Sequence, residues 1–316
     1  MRRFTSTPHA ADLRLMQRTV RLETNDQALL DLAAKFFNRH HQGKPGPPEF
    51  LWRLICEPDP RVTSAAVQLS AFSDAGLRYV NIDQRAFLAV DVRRQEAAGF
   101  LSDLLIKAPR QSRNSRALDV LFCMTAPSLG LTALSGGCVG LEERGVLVFG
   151  PPNSGKTTSC YLAAKMGMEF HADQAIFLDM DGDVLCAWGD LFPAVFRPET
   201  LEFLPELQEA AHHSTCGDVS FFYLDKAPFQ SRWARSVTPV CSLFLERGST
   251  EEPQLKQITR RAAISKLRGC LLFNEDEHFE GQVTAVLSAL ASRPAYTLHY
   301  GSDPKIASTL IAKLLR

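Results

Sequence analysis

The segment Gly150-Pro151-Pro152-Asn153-Ser154-Gly155-Lys156-Thr157 has the spacing G-x-x-x-x-G-K-T, and no other stretch constrains the fold of this chain as strongly. Before it, Gly145 to Phe149 is a short apolar run suited to a fully buried strand. After it, Thr157 to Met166 reads as a helix, with Tyr161, Leu162 and Ala164 to Met166 supplying its apolar faces. Strand, glycine loop and helix together bring successive backbone N–H groups and a helix N-terminus around phosphate oxygens. The expected ligand is a nucleoside triphosphate. Gly150 to Thr157, with Thr158 behind them, would form the cradle; Lys156 would meet the β- and γ-phosphates, and the Thr157 hydroxyl would take a place on Mg²⁺.

Bulk properties narrow the remaining choices. Thirty-five basic residues balance thirty-five acidic ones, so no net field draws a polyanion, and nucleic acid is not an expected partner. A hydrophobic fraction of 45% and a charged fraction of 22% describe an ordinary globular chain. Apolar stretches such as Val283 to Ala291 fall short of the roughly 20 residues a membrane helix needs. Met1 to Thr5 has no signal-peptide core, so the expected compartment is the cytoplasm and no membrane partner is expected. The 8 cysteines are scattered without a C-x-x-C pair, which reads as reduced thiols and not as a disulfide framework or a zinc site. The pairs His40-His41 and His212-His213 are adjacent residues that diverge on any regular element, so neither is expected to ligate a metal.

The 316 residues are enough for two domains. Residues 1–116 read as a smaller α+β domain. Thr24-Asn25-Asp26-Gln27 resembles a capping box, with Leu29, Leu32, Ala33, Phe36 and Phe37 at helical spacing behind it. Gln42 to Pro48 reads as a loop, and Val67, Leu69 and Ala71 alternate like a strand. Leu77 to Ile82 and Ala86 to Val90 form an expected hairpin turning at Asp83-Gln84-Arg85. A helix is expected next, with Ala97, Phe100, Leu101, Leu104 and Leu105 on its apolar face. Lys107 to Arg116 reads as a solvated linker.

The second domain is expected over 117–316, entered by a helix through Leu118, Leu121 and Phe122. Strands are expected at Leu131 to Leu134, Cys138-Val139, Met168 to Ala172, Val219 to Leu224, Pro239 to Glu246 and Ala295 to Tyr300. Ala175 to Asp179 and Val184 to Trp188 should pair across the Asp181-Gly182 turn. Helices are expected at Arg260 to Leu267, Phe279 to Ser292 and Pro304 to Leu315.

A triphosphate site needs an acid as a second Mg²⁺ anchor, usually at a strand end. Asp173, Asp179, Asp225 and Glu246 all fit that pattern, and hydropathy alone favours Asp179, behind Ala175-Ile176-Phe177-Leu178. Gly130 to Arg197, however, resembles the nucleotide-binding domain of the HPr kinase/phosphorylase-related family. The likeness lies in Gly145 to Gly150 running into the glycine loop, then in Met168-Glu169-Phe170-His171-Ala172-Asp173-Gln174. It continues through Phe177-Leu178-Asp179, Asp181-Gly182-Asp183 and Leu191-Phe192-Pro193 toward Arg197.

The resemblance implies an α/β architecture: a P-loop NTPase-like domain of the HPr kinase/phosphoenolpyruvate carboxykinase type, with hairpins beside the nucleotide. It implies ATP and Mg²⁺ as cofactors, Asp173 as the metal acid and assembly as a homo-oligomer; in a kinase, Arg197, with Arg247 and Arg260 behind it, would be the candidate for charge stabilisation. Two departures stand out. Ser135 occupies the position of a family His, and Gln174 that of the general base, where an amide cannot accept a proton. The family's glycine-rich C-terminal signature is also absent, which argues against HPr as the substrate. Two functions suit these residues. One is a kinase moving a γ-phosphoryl group to a hydroxyl on a small molecule, peptide or protein. The other is a non-catalytic or slowly hydrolysing ATP-dependent regulator.

Overall fold

Over the described residues (6–37, 46–57, 70–74, 76–81, 86–102, 115–189, 194–210, 212–216, 219–224, 236–248, 252–272, 277–301 and 303–316), the computed structural model is a mixed α/β protein. Parallel strands lie at the centre of its two largest sheets. Contacts divide the chain into two units, Met1–Gly130 with Ser214–Val219, and Leu131–His213 with Ser220–Arg316.

In the first unit, strands β1 (His9–Leu15), β2 (Arg18–Thr24), β3 (Phe50–Glu57), β4 (Ser70–Asp74), β5 (Leu77–Asn81), β6 (Phe87–Asp91) and β7 (Glu96–Ser102) form a 7-stranded sheet in the order β1-β2-β3-β7-β6-β5-β4. The expected β5–β6 hairpin is present, with Leu77 paired to Asp91; its turn at 83–85 lies outside the described residues, as do 42–45, Val67, Leu69 and 107–114. The helix expected through Ala97 and Phe100 is instead strand β7, parallel to β3 and antiparallel to β6. Its burial alternates, with Ala97 and Leu101 buried and Ala98 and Phe100 exposed, which is a period of two. Leu104 and Leu105 are outside the described residues.

Helix α1 (Gln27–Phe37) starts one residue after its true cap: the Asp26 carboxylate accepts from the Leu29 N–H at 2.9 Å. Thr24 accepts from the Asp26 N–H at 3.2 Å, so the expected capping box is a turn feeding an Asp cap. Helix α2 (Ser115–Thr125), read from the sequence as the entrance to the second domain, packs in the first unit. Buried Arg78 donates from Nη1 to the Met124 carbonyl at 3.0 Å, and the Phe37 ring meets Phe122 edge-on, centroids 6.1 Å apart.

In the second unit, strands β8 (Thr132–Ser135), β9 (Gly137–Leu141), β10 (Arg144–Phe149), β11 (Glu169–Ala172), β12 (Ala175–Asp181), β13 (Val184–Trp188) and β14 (Ala194–Phe196) are followed by β15 (His212–Cys216) and β16 (Val219–Leu224). Strands β17 (Thr238–Arg247), β18 (Gln254–Gln257) and β19 (Ala295–Tyr300) complete the set. The main sheet runs β11-β9-β10-β17-β19-β18, with β10, β17 and β19 parallel. Their C-terminal ends therefore open at one edge, where α/β sheets bind ligands.

Helices α3 (Lys156–Lys165) and α7 (Pro304–Leu315) cover one face; α5 (Arg260–Arg268), α6 (Glu280–Ala291) and the β8-β12-β13 sheet cover the other; α4 (Leu207–Ala210) is a single turn. Strand β10 explains this layering, because Val146 and Val148 pack into the first core, and Leu147 and Phe149 into the second. A strand covered on both faces must be apolar at every position. No helix among the described residues is long and apolar enough to cross a membrane.

Candidate functional site

The chain leaves β10 at Gly150 and enters α3 at Lys156. Two glycines make that path possible. At Gly150 a Cβ would lie 2.5 Å from Ser154 Oγ and 2.6 Å from the Leu245 carbonyl oxygen. At Gly155, with φ +87°, it would lie 2.5 Å from the Tyr300 hydroxyl. A side chain at either position would collide with atoms packed against the loop. Asn153, at φ 66°, supplies a further left-handed residue. Pro151, Pro152 and Asn153 are exposed, Thr158 is half-buried, and Ser154 is 2% exposed with a hydroxyl that finds no hydrogen-bond partner among the described residues.

Lys156 turns back on its own loop, donating from Nζ to the Gly150 carbonyl at 2.8 Å and the Pro151 carbonyl at 2.9 Å. Burial pushes its ammonium below the ordinary lysine value, opposed by Cys160, Cys270 and Asp173 nearby. On the next residue, Thr157 Oγ1 donates to Asp173 Oδ2 at 3.3 Å. Asp173 sits in the connection between β11 and β12, is 3% exposed, and accepts at the same oxygen from the Val195 N–H at 3.4 Å. Thus the end of β11, the start of α3 and the backbone of β14 converge on one carboxylate. Among the described residues no group of three His, Cys, Asp or Glu side chains gathers as a metal site; Thr157 and Asp173 offer two oxygens.

Gln174 follows Asp173 with its side chain exposed, and its carbonyl accepts from the Gly136 N–H at 3.2 Å. Ser135 is one strand away, in register with Ala175, and its N–H donates to the Cys270 carbonyl at 2.7 Å. The other acids are engaged elsewhere. Asp179, 7% exposed, accepts from the Trp188 indole at 3.0 Å inside the β12–β13 hairpin. Glu246, at the end of β17, binds Lys266 at 2.7 Å and His299 at 3.3 Å, and the lysine holds its carboxyl below the usual range. Asp225 and Leu191-Phe192-Pro193 lie outside the described residues.

Arg197 is exposed just past β14, and no hydrogen bond or ion pair among the described residues links it to the loop. Arg260 donates to the Ser288 carbonyl at 3.4 Å, and Arg247 ends β17 opposite Tyr300. Sequence reading missed two contributors. The Val195 N–H has no signature at all, being backbone. Tyr300 ends an apolar strand, and only the fold reveals that its hydroxyl donates to the Ser154 carbonyl at 2.5 Å.

No known family profile matches the chain, and no curated protein does. Among solved structures the chain is similar to the Hpr(Ser) kinase/phosphatase from Coxiella burnetii. Identity is 11%, the match covers 58% of this chain and 93% of that one, and the TM-score is 0.30. A likeness of that size transfers no site and no chemistry.

Proposed function

We propose that the second unit binds ATP with Mg²⁺ and transfers the γ-phosphoryl group to a hydroxyl acceptor on a small molecule, peptide or protein. The observation that carries this reading is the meeting of Thr157 Oγ1 and Asp173 Oδ2, 3.3 Å apart, at the start of the helix that follows a glycine loop. The loop fits a phosphate group. Both glycine positions exclude a Cβ, so bare backbone lines the loop there, and among the described residues the buried Ser154 hydroxyl has no hydrogen-bond partner. Bound Mg²⁺ would neutralise charge on the phosphate oxygens and take its remaining ligands from phosphate and water. Thr157 and Asp173 would hold the ion, Lys156 would exchange its carbonyl partners for phosphate oxygens, and Gly150 to Thr158 would cradle the chain of phosphates.

Transfer forms a bond from the acceptor oxygen to γ-phosphorus and breaks the bond to the β,γ-bridging oxygen, releasing ADP. The acceptor proton must go to a base. The β12–β13 hairpin packed on the parallel sheet supports a P-loop domain of the HPr kinase/phosphoenolpyruvate carboxykinase type, with the first unit as a separate domain of its own.

The exposed amide of Gln174 favours a second reading, an ATP-dependent regulator that transfers slowly or not at all. One experiment separates the two. With a kinase short of its base, Gln174→Asp or Gln174→Glu raises transfer from γ-labelled ATP, or its hydrolysis, by roughly ten- to a hundred-fold, part of the 10²–10⁴ that general-base catalysis supplies. With a regulator, both variants add only negative charge: ATP affinity falls and turnover stays flat.

A further inference from the structure

We propose that Tyr300 is a positioning residue for the phosphate loop: its hydroxyl, donated to the Ser154 carbonyl, fixes the Ser154–Gly155 peptide so that the Gly155 N–H faces the ligand. The inference rests on the reading of the loop as a phosphate site. The geometry behind it is specific. Tyr300 is 1% exposed at the last position of β19, and its ring lies in the core shared by α3 and α7. Its hydroxyl reaches Ser154, 146 positions earlier in the chain, at 2.5 Å. A carbonyl can only accept, so the phenol is the donor. Burial raises the phenol above its ordinary value, which keeps that proton in place through the neutral range.

A trans peptide holds its C=O and N–H in opposite directions. With the Ser154 carbonyl drawn inward to Tyr300, the Gly155 N–H is turned away from the core. The same contact accounts for glycine at 155, since a Cβ there would come within 2.5 Å of the hydroxyl. The strand is itself braced, with the Gly248 N–H donating to the Tyr300 carbonyl at 2.9 Å. A rigid β19 thus sets the orientation of a peptide in a loop whose backbone must meet phosphate oxygens without reorganising.

The test is Tyr300→Phe, which removes the hydroxyl and keeps the ring. Binding of ATP and of inorganic tripolyphosphate is measured by calorimetry, together with melting temperature and amide hydrogen exchange. Tyr161→Phe serves as control, a buried tyrosine of the same core that packs against Phe196, centroids 5.4 Å apart.

In the proposed role Tyr300→Phe weakens both ligands by about fivefold, the scale of one buried hydrogen bond. Exchange then quickens in peptides spanning 150–157, melting falls by only a few degrees, the scale of one buried hydrogen bond, and Tyr161→Phe leaves affinity alone. Unchanged affinity for both ligands overturns the proposal. So does a loss seen with ATP but not tripolyphosphate, which would locate the effect at the nucleoside, or a large fall in melting with faster exchange throughout the unit. If the wild-type protein binds neither ligand, the phosphate-site reading fails separately. Exchange then decides the clamp alone: acceleration confined to 150–157 upholds it, and none overturns it.

Discussion

Asp173 and Asp179 begin from the same pattern, an acid closing an apolar run, and end in different company. Asp173 meets a side-chain hydroxyl from the first turn of α3 and a backbone N–H from β14, at the open edge of the parallel strands. Asp179 meets an indole from the neighbouring strand of its own hairpin. Both are almost fully buried, at 3% and 7% exposure. Burial therefore cannot rank them, and hydropathy puts Asp179 first. In the proposed reading, what separates the two acids is the partner: a group that an incoming ion would share, or one that completes the fold.

The largest expected effect is on the structural side. Asp179→Leu keeps the branched shape of the side chain but leaves the Trp188 indole N–H buried without an acceptor, at a cost of about 2 kcal/mol of stability. Chemical denaturation followed by tryptophan fluorescence measures it, and ATP affinity of the folded fraction should match wild type. A variant that melts normally yet loses ATP would erase the contrast between the two acids.

Lys156→Ala comes next. It removes the cation of the loop and leaves the backbone cradle, so ATP affinity should fall at least about tenfold, which is about 1.4 kcal/mol. Melting of the ligand-free protein should hardly move, because the lysine's present partners are two carbonyls that water can satisfy. Equal affinity in calorimetry would remove the loop from the binding side of the comparison altogether.

Smaller still is Asp173→Asn, which keeps a hydrogen-bond acceptor for Thr157 and Val195 but withdraws charge from the ion. Affinity for ATP should weaken about fivefold with Mg²⁺ present, roughly one charge-assisted contact. With chelator it should be nearly intact. Asp179→Asn, which still accepts from the indole, should change neither value. The reverse pattern would mean that hydropathy had ranked the two acids correctly.

The strand–loop–helix core of the site was legible because every piece of it is local. Val146 to Phe149 must be apolar throughout, the glycines must stand where a Cβ cannot, and helix α3 begins at the lysine itself. The Asp179 contact was hidden because it needs a register. Asp179 pairs with Cys186, and only that pairing brings Trp188, two residues on, to the same face. The first unit was less legible. Strands β1 and β2 turn at Met16, held at φ 59°, where no glycine or asparagine marks a hairpin. In β7, the pair Phe100-Leu101 fitted a helical face as well as a strand, and the short run could not arbitrate.

The finest test of the contrast is a proton count, because Lys156 belongs to the proposed phosphate site and titrates. In the ligand-free protein, burial holds its ammonium below the ordinary lysine value of about 10.4. A lowered lysine binds its proton less well folded than unfolded, so stability rises with pH between the folded value and the ordinary one, opposite in sign to an ion-paired lysine. Phosphate oxygens favour the charged form and restore the proton. ATP binding should therefore take up protons in that alkaline window, approaching about one per nucleotide, and affinity should decline as pH rises through it. Calorimetry in two buffers of different ionisation enthalpy gives the count. Lys156→Ala should abolish the uptake, whereas Asp179→Asn should leave it unchanged. Uptake that persists without the lysine would assign the proton to another group and take Lys156 out of direct contact with the phosphates.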